Sequence, residues 1–211
     1  AAKTVAEIEA LGRKAVAIQA NMGNPDEVAA LFKSIGEQFG GLDILVLNAG
    51  TGWRSSVMET TLKVMNTVWA VNFVGSFLCV QAAVPLMQAR GGGRIVTIAT
   101  PGSHYVFPAY ITVATSRGAL ESLTRYIAVE MAEYNITANA VSPGVVLTES
   151  LEYQAPADYI KRAIARTPTR RAVTPQDVGY VAAFLCSEGA LMINGQVINL
   201  DGGLFLPPFD V

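Results

Sequence analysis

Along this chain the spacing of apolar positions switches repeatedly between the helical and the extended repeat. AEIEALG closes a helix at Gly12, and KAVAIQA directly after it reads as a short apolar strand. Asn24 then caps a helix, with Pro25 at its first position and Glu27 at its third. Val28, Leu31, Ile35 and Phe39 follow at spacings of 3, 4 and 4, which predicts one buried face. LDILVLNAG is a nearly continuous apolar run ending at a glycine, the pattern of a strand covered on both faces of a parallel sheet. A long helix over about 59–89 comes next, and its stretch VWAVNFVGSFLCVQAAV predicts burial on nearly all sides.

The second half continues the alternation. GRIVTIAT is a strand, and a helix beginning near Tyr110 buries Leu120, Leu123, Ile127 and Met131 while Glu121 and Arg125 pair on its wet side. ITANAVSPG is a strand with a Pro-Gly stop. Thr174 and Pro175 start a last helix with Val178, Val181 and Phe184 inward, and GQVINLDGG is the final strand. Strands alternating with helices from end to end define a three-layer α/β fold with a parallel sheet, organised as a single domain over residues 1–211. Ligands of such sheets bind at the carboxyl ends of the strands, where strand order reverses. The irregular segment at about 148–173 is long enough to form a mobile lid.

Composition narrows the partners. A formal net charge of -2, without blocks of like charge, excludes nucleic acid and anionic membrane as expected partners. The 17-residue apolar stretch carries Asn72, Ser76 and Gln81, short and polar for a membrane span. With no basic, apolar signal at the start, the expected location is the cytoplasm. Cys79 and Cys186 fall inside apolar helical patterns and read as reduced core residues. His104, the single histidine, stands in the loop after GRIVTIAT; it reads as solvent-facing, and with no clustered ligands no metal is expected.

The residues capable of chemistry gather at predicted strand ends. Asn48, Ala49 and Gly50 close one strand, Thr100 closes the next, and Pro143 and Gly144 close the third, followed by Val145 and Thr148. Asn72 is a polar residue inside the apolar helix, and Tyr110 precedes Arg117 by seven positions. On a helix that spacing puts Tyr110 and Arg117 on one face, roughly 10 Å apart. Tyr105, Phe107 and Tyr153 suit either a pocket lining or packing beneath a loop.

In order and placement these elements, from residue 1 to about 203, resemble the short-chain dehydrogenase/reductase family: NAG at 48–50, Asn72, Thr100, Tyr110, NAVSPG at 139–144 with Thr148, and GQVINLDGG. Common members space Tyr and Lys four apart, whereas here Val113 stands four before Arg117. The seven-residue spacing, between GSHYVFPAY and GALESLTRYIAVEM, is similar to the third type of bacterial enoyl-acyl-carrier-protein reductase. The resemblance implies a Rossmann-like, doubly wound parallel sheet and hydride transfer from NADPH or NADH to an enoyl or keto group of an acyl thioester or related biosynthetic intermediate. It implies catalytic roles for Tyr110 as acid or oxyanion donor, Arg117 as ribose anchor, and Asn72 and Thr100 as supporting groups. Cofactor contacts are implied for Asn21, Asn48, Ala49, Gly50, Tyr110, Arg117, Pro143, Gly144, Val145 and Thr148. The resemblance further implies a small-molecule substrate, free or carried on a carrier protein, and a homodimer or homotetramer.

Two departures stand beside the resemblance. Arg117 replaces the family Lys, keeping the charge without the ability to pass a proton. The family's opening strand, glycine-rich phosphate turn and second strand are missing from this sequence, which begins with AAKTVAEIEALG, so the domain is expected to be N-terminally incomplete here. Both departures favour a second reading, in which no cofactor is used and the fold serves a redox-inactive cyclase, isomerase or ligand-binding protein.

Overall fold

The computed structural model describes residues 1–149, 151 and 157–206. Four strands, β1 (Ile44–Leu47), β2 (Gly93–Ile98), β3 (Ile136–Pro143) and β4 (Val197–Leu200), pair in parallel in chain order. Around them run α1 (Ala2–Ala10), α2 (Pro25–Phe39), α3 (Leu62–Trp69), α4 (Gly75–Gln88), α5 (Ile111–Glu130), α6 (Ala157–Arg166) and α7 (Pro175–Leu185). Helices cover both faces of the sheet. On one face α2, α4 and α5 bury Val28, Met87 and Leu120 against Ile95 and Ala138; on the other α7 buries Leu185 against Val96 and Val141.

Local chemistry sets the helix starts. The Asn24 side chain accepts from the backbone N–H of Asp26 at 3.0 Å, with Pro25 in the first turn, and Glu27 accepts from Asn24 Nδ2 and from the Asn21 backbone N–H. Thr174 and Asp177 form a reciprocal capping box on α7. Arg171 donates to both Asp177 oxygens and, as the first cause, holds that carboxyl well below its ordinary range.

The structure revises several sequence expectations. Residues 14–20 are not a strand: no described residue pairs with them, and a strand exists only through a hydrogen-bonded neighbour. Among the described residues β1 has β2 as its strand neighbour, and Ile44 and Val46 are half exposed rather than covered on both faces. The described strand order contains no reversal. On α2 the buried pair is Val28 and Phe32; Phe39 lies outside, beneath the Lys14 ammonium at 4.7 Å. Phe184 is also exposed, and Leu185 takes the inward position. Glu121 does not pair with Arg125 on the wet side: it is buried on α5 and bonds His104, while Arg125 is exposed. The supposedly irregular segment holds α6, whose inward Ile160, Ala163 and Ile164 repeat at helical spacing, with buried Thr167 just beyond its end.

The long helix runs over 27 residues, Leu62–Gln88, but is interrupted by a π turn at Ala70–Val74. By length and composition it could cross a membrane, yet its inner side packs into the core through Cys79, Val80, Ala83 and Met87. Only 39% of its most apolar window is buried, far from burial on all sides, and Val74 and Phe77 face outward. Gly75 is required here, since a Cβ would overlap the Met22 carbonyl oxygen.

Leu120 has no exposed surface and joins α5 to the sheet. Leu120→Ala is expected to cost about 3–5 kcal/mol by leaving a cavity the rigid sheet cannot close. Urea denaturation should show a lowered midpoint at an unchanged slope.

Candidate active site

Two adjoining cavities, of about 480 and 340 Å³, open at the carboxyl ends of the central strands. The first is lined by Asn48 and Gly50 after β1, Thr100 after β2, Asn72 from the π turn, and Tyr110, Val113 and Arg117 from α5 and its start. The second shares Thr100 and Tyr110 and adds Pro143 at the end of β3 and Gly144, Val145 and Thr148 after it. The structure therefore brings together all the predicted site residues except two. Ala49 faces the apolar groove beside β1, and Asn21 lies outside both cavities in the turn before α2, where its side chain accepts from the Gly23 N–H at 2.9 Å.

Arg117 is buried at the tips of β1 and β2. Its Nη1 donates to the Ile98 carbonyl at 2.9 Å, and its Nη2 donates to Ala49 at 2.9 Å and Asn48 at 3.4 Å. A charge out of water needs such acceptors. Burial pushes the guanidinium pKa down, opposed by the nearby Tyr110. Gly50 makes the arrangement possible, because a Cβ there would overlap Arg117 Nη2.

Tyr110 is the N-cap residue of α5, so its ring enters the cavity from just outside the helix while Val113 occupies the first-turn wall. Phe107 packs against Tyr110, with ring centres 5.8 Å apart. Thr100 caps the short 3-10 turn Pro101–Ser103. Asn72 is fully buried and satisfied: its Oδ1 accepts from the Thr51 N–H at 2.8 Å, and its Nδ2 donates to the Thr51 carbonyl and Ser116 Oγ, both at 3.0 Å. The π turn that presents it widens one helical turn, a distortion that no periodicity reveals. Gly144 lets the chain after β3 pass close to Asp201.

Of the aromatic residues, Phe107 lines the second cavity, whereas Tyr105 stacks on Phe205 at 4.8 Å and donates to its carbonyl. Tyr153 lies outside the described residues. His104 is half exposed but tethered, its Nε2 lying 2.7 Å from Glu121 Oε2. Among the described residues no cluster of metal-ligating side chains occurs. Arg54 lines both cavities, and sequence reasoning did not single it out; it sits in a loop without periodicity.

Residues 1–205 match the family described as enoyl-(acyl carrier protein) reductase. The 1-cyclohexenylcarbonyl-CoA reductase of Streptomyces collinus is 36% identical, covering 99% of this chain and 76% of that protein. The 3-oxoacyl-(acyl-carrier-protein) reductase FabG of Staphylococcus aureus is 33% identical, over 96% of this chain and 82% of that protein. A crystal structure of gluconate 5-dehydrogenase from Burkholderia cenocepacia, in complex with NADP and tartrate, superimposes with a TM-score of 0.91 at 28% identity, covering 98% of this chain and 82% of that one. The chain belongs to the short-chain dehydrogenase/reductase family and is an oxidoreductase with the Rossmann-like fold of that family.

If Gly50 exists to admit the guanidinium, Gly50→Ala should cost about 2 kcal/mol or more with Arg117 present. The cost should shrink by at least about 1 kcal/mol in an Arg117→Lys background, giving coupling in a double-mutant denaturation cycle. Additive effects would separate the two residues.

Proposed function

We propose that this oxidoreductase uses NADPH or NADH to reduce an enoyl or keto group on an acyl thioester or a related biosynthetic intermediate. The carrying observation is the convergence of Tyr110, Thr100, Asn72 and Arg117 on one cavity, in a chain related to reductases of CoA and carrier-protein thioesters.

The donor set suits the nicotinamide end of the cofactor. Asn48 and Gly50 after β1 and Val145 and Thr148 after β3 border the space, and Arg117 directs three N–H bonds to carbonyls out of the five donors it owns. The remaining guanidinium edge is the ribose anchor. When bound, the reduced nicotinamide supplies hydride to the substrate carbon.

Tyr110 Oη donates to the substrate oxygen as negative charge develops there, and Thr100 Oγ1 supports the same oxygen from the tip of β2. Arg117 raises the local potential beside Tyr110 but holds its own protons. Proton return to Tyr110 therefore comes from solvent. Asn72 acts by fixing Thr51 and α5 in register rather than by touching substrate. Asn21 has no part at this end of the site. Exposed Val74, Phe77, Tyr126 and Val129 on the long helix and α5 support a homodimer or homotetramer.

One observation favours the redox-inactive alternative: three Arg117 bonds already go to backbone. Calorimetric titration separates the readings, with binding of NADPH or NADH at about micromolar Kd expected. Absence of heat at about millimolar cofactor would overturn the reductase reading. Tyr110→Phe should keep cofactor affinity and lower kcat about 10²- to 10⁴-fold on the substrate that is reduced.

A further inference from the structure

The walls of the two cavities include two cations, Arg54 and Arg117, and among the described lining residues no Asp or Glu. The two differ in what they are free to do. Arg117 is turned into the strand tips by three carbonyl bonds. Arg54 is exposed, makes one long contact from Nη2 to the Pro108 carbonyl at 3.5 Å, and pairs with no carboxylate among the described residues.

The backbone that carries Arg54 is nevertheless anchored on both sides. Ser55 forms a parallel bridge with Tyr110, its N–H donating to the Ala109 carbonyl at 3.1 Å, and Thr112 Oγ1 donates to the Trp53 carbonyl at 3.2 Å. Arg54, Ala99, Thr100 and Tyr110 are the residues common to both cavities, so Arg54 stands where they meet and shares that boundary with Tyr110. Apolar Pro101, Phe107 and Val145 also line the second cavity. A guanidinium fork on an anchored backbone, with no carboxylate partner among the described residues, matches a group with two coplanar anionic oxygens.

We infer that Arg54 is the anion-recognition residue of this cavity and that the substrate carries a carboxylate, held there with its reducible group toward Tyr110. The orientation toward Tyr110 rests on the reductase reading; the anion site does not, and binding without turnover tests it separately.

Crotonate and crotonamide share shape and differ in charge, which makes them suitable probes. At about 50 mM and matched ionic strength, crotonate should raise the melting temperature of the protein by about 3–5 °C, and crotonamide by less than about 1 °C. Arg54→Gln should melt within about 1 °C of the parent, because the side chain is exposed, and should lose the crotonate shift. Equal shifts for the two probes, no crotonate shift, or a shift that survives in Arg54→Gln would overturn the inference. An equal Arg54-dependent shift with inorganic phosphate would overturn the choice of carboxylate. If NADPH and NADH fail to bind while the Arg54-dependent crotonate shift persists, the reductase reading falls and the anion site stands.

Discussion

A guanidinium cannot leave water without acceptors, and at the tips of β1 and β2 the carbonyls of Asn48, Ala49 and Ile98 supply them to Arg117. Most of the site depends on this contact. It joins α5 to two neighbouring strands at their carboxyl ends and so fixes the rotation of the helix about its axis. That rotation places Tyr110 and Val113 on the cavity wall and turns Ser116 toward Asn72. Gly50 leaves the space the charge occupies. Because the partners are dipoles and not a carboxylate, burial lowers the affinity of Arg117 for its proton.

The polar groups around that contact are ordered by one another. Asn72 clamps the Thr51 backbone by donating and accepting, and the loop then runs along the start of α5 through Trp53 and Ser55. Two chain segments remote in sequence thereby become one rim. The buried acid of α5 is kept out of this arrangement: Glu121 lies one turn beyond Arg117 yet bonds His104 on the loop after β2. Its carboxylate is thereby held with the imidazole, and among the described residues no Asp or Glu lines either cavity.

The sequence made much of this legible. The four strands that form, the caps at Asn24 and Thr174, the turn glycines and the sites at the strand ends all follow from local pattern, because capping, turn geometry and apolar period act over a few residues. Tyr110 and Arg117 were visible as a spaced pair for the same reason. The misses share a different cause. KAVAIQA has strand composition, but pairing is a property of neighbours, and none of the described residues provides one. The π turn around Asn72 preserves helical composition while changing the hydrogen-bond step. Glu121 fits a solvent-facing helical pair until His104 arrives from another segment.

What the amino-acid order determined alone, then, is most of the succession of helices and strands, the parallel three-layer class and the residue types available at the strand ends. Tertiary structure decided which of those residues meet, which of the two arginines is committed to the backbone, and which faces solvent at the mouth of the site. The division has a physical reason. Secondary structure is set by interactions among near neighbours along the chain, whereas the burial and pairing of a charge depend on groups that approach only when the sheet and its covering helices have closed around it.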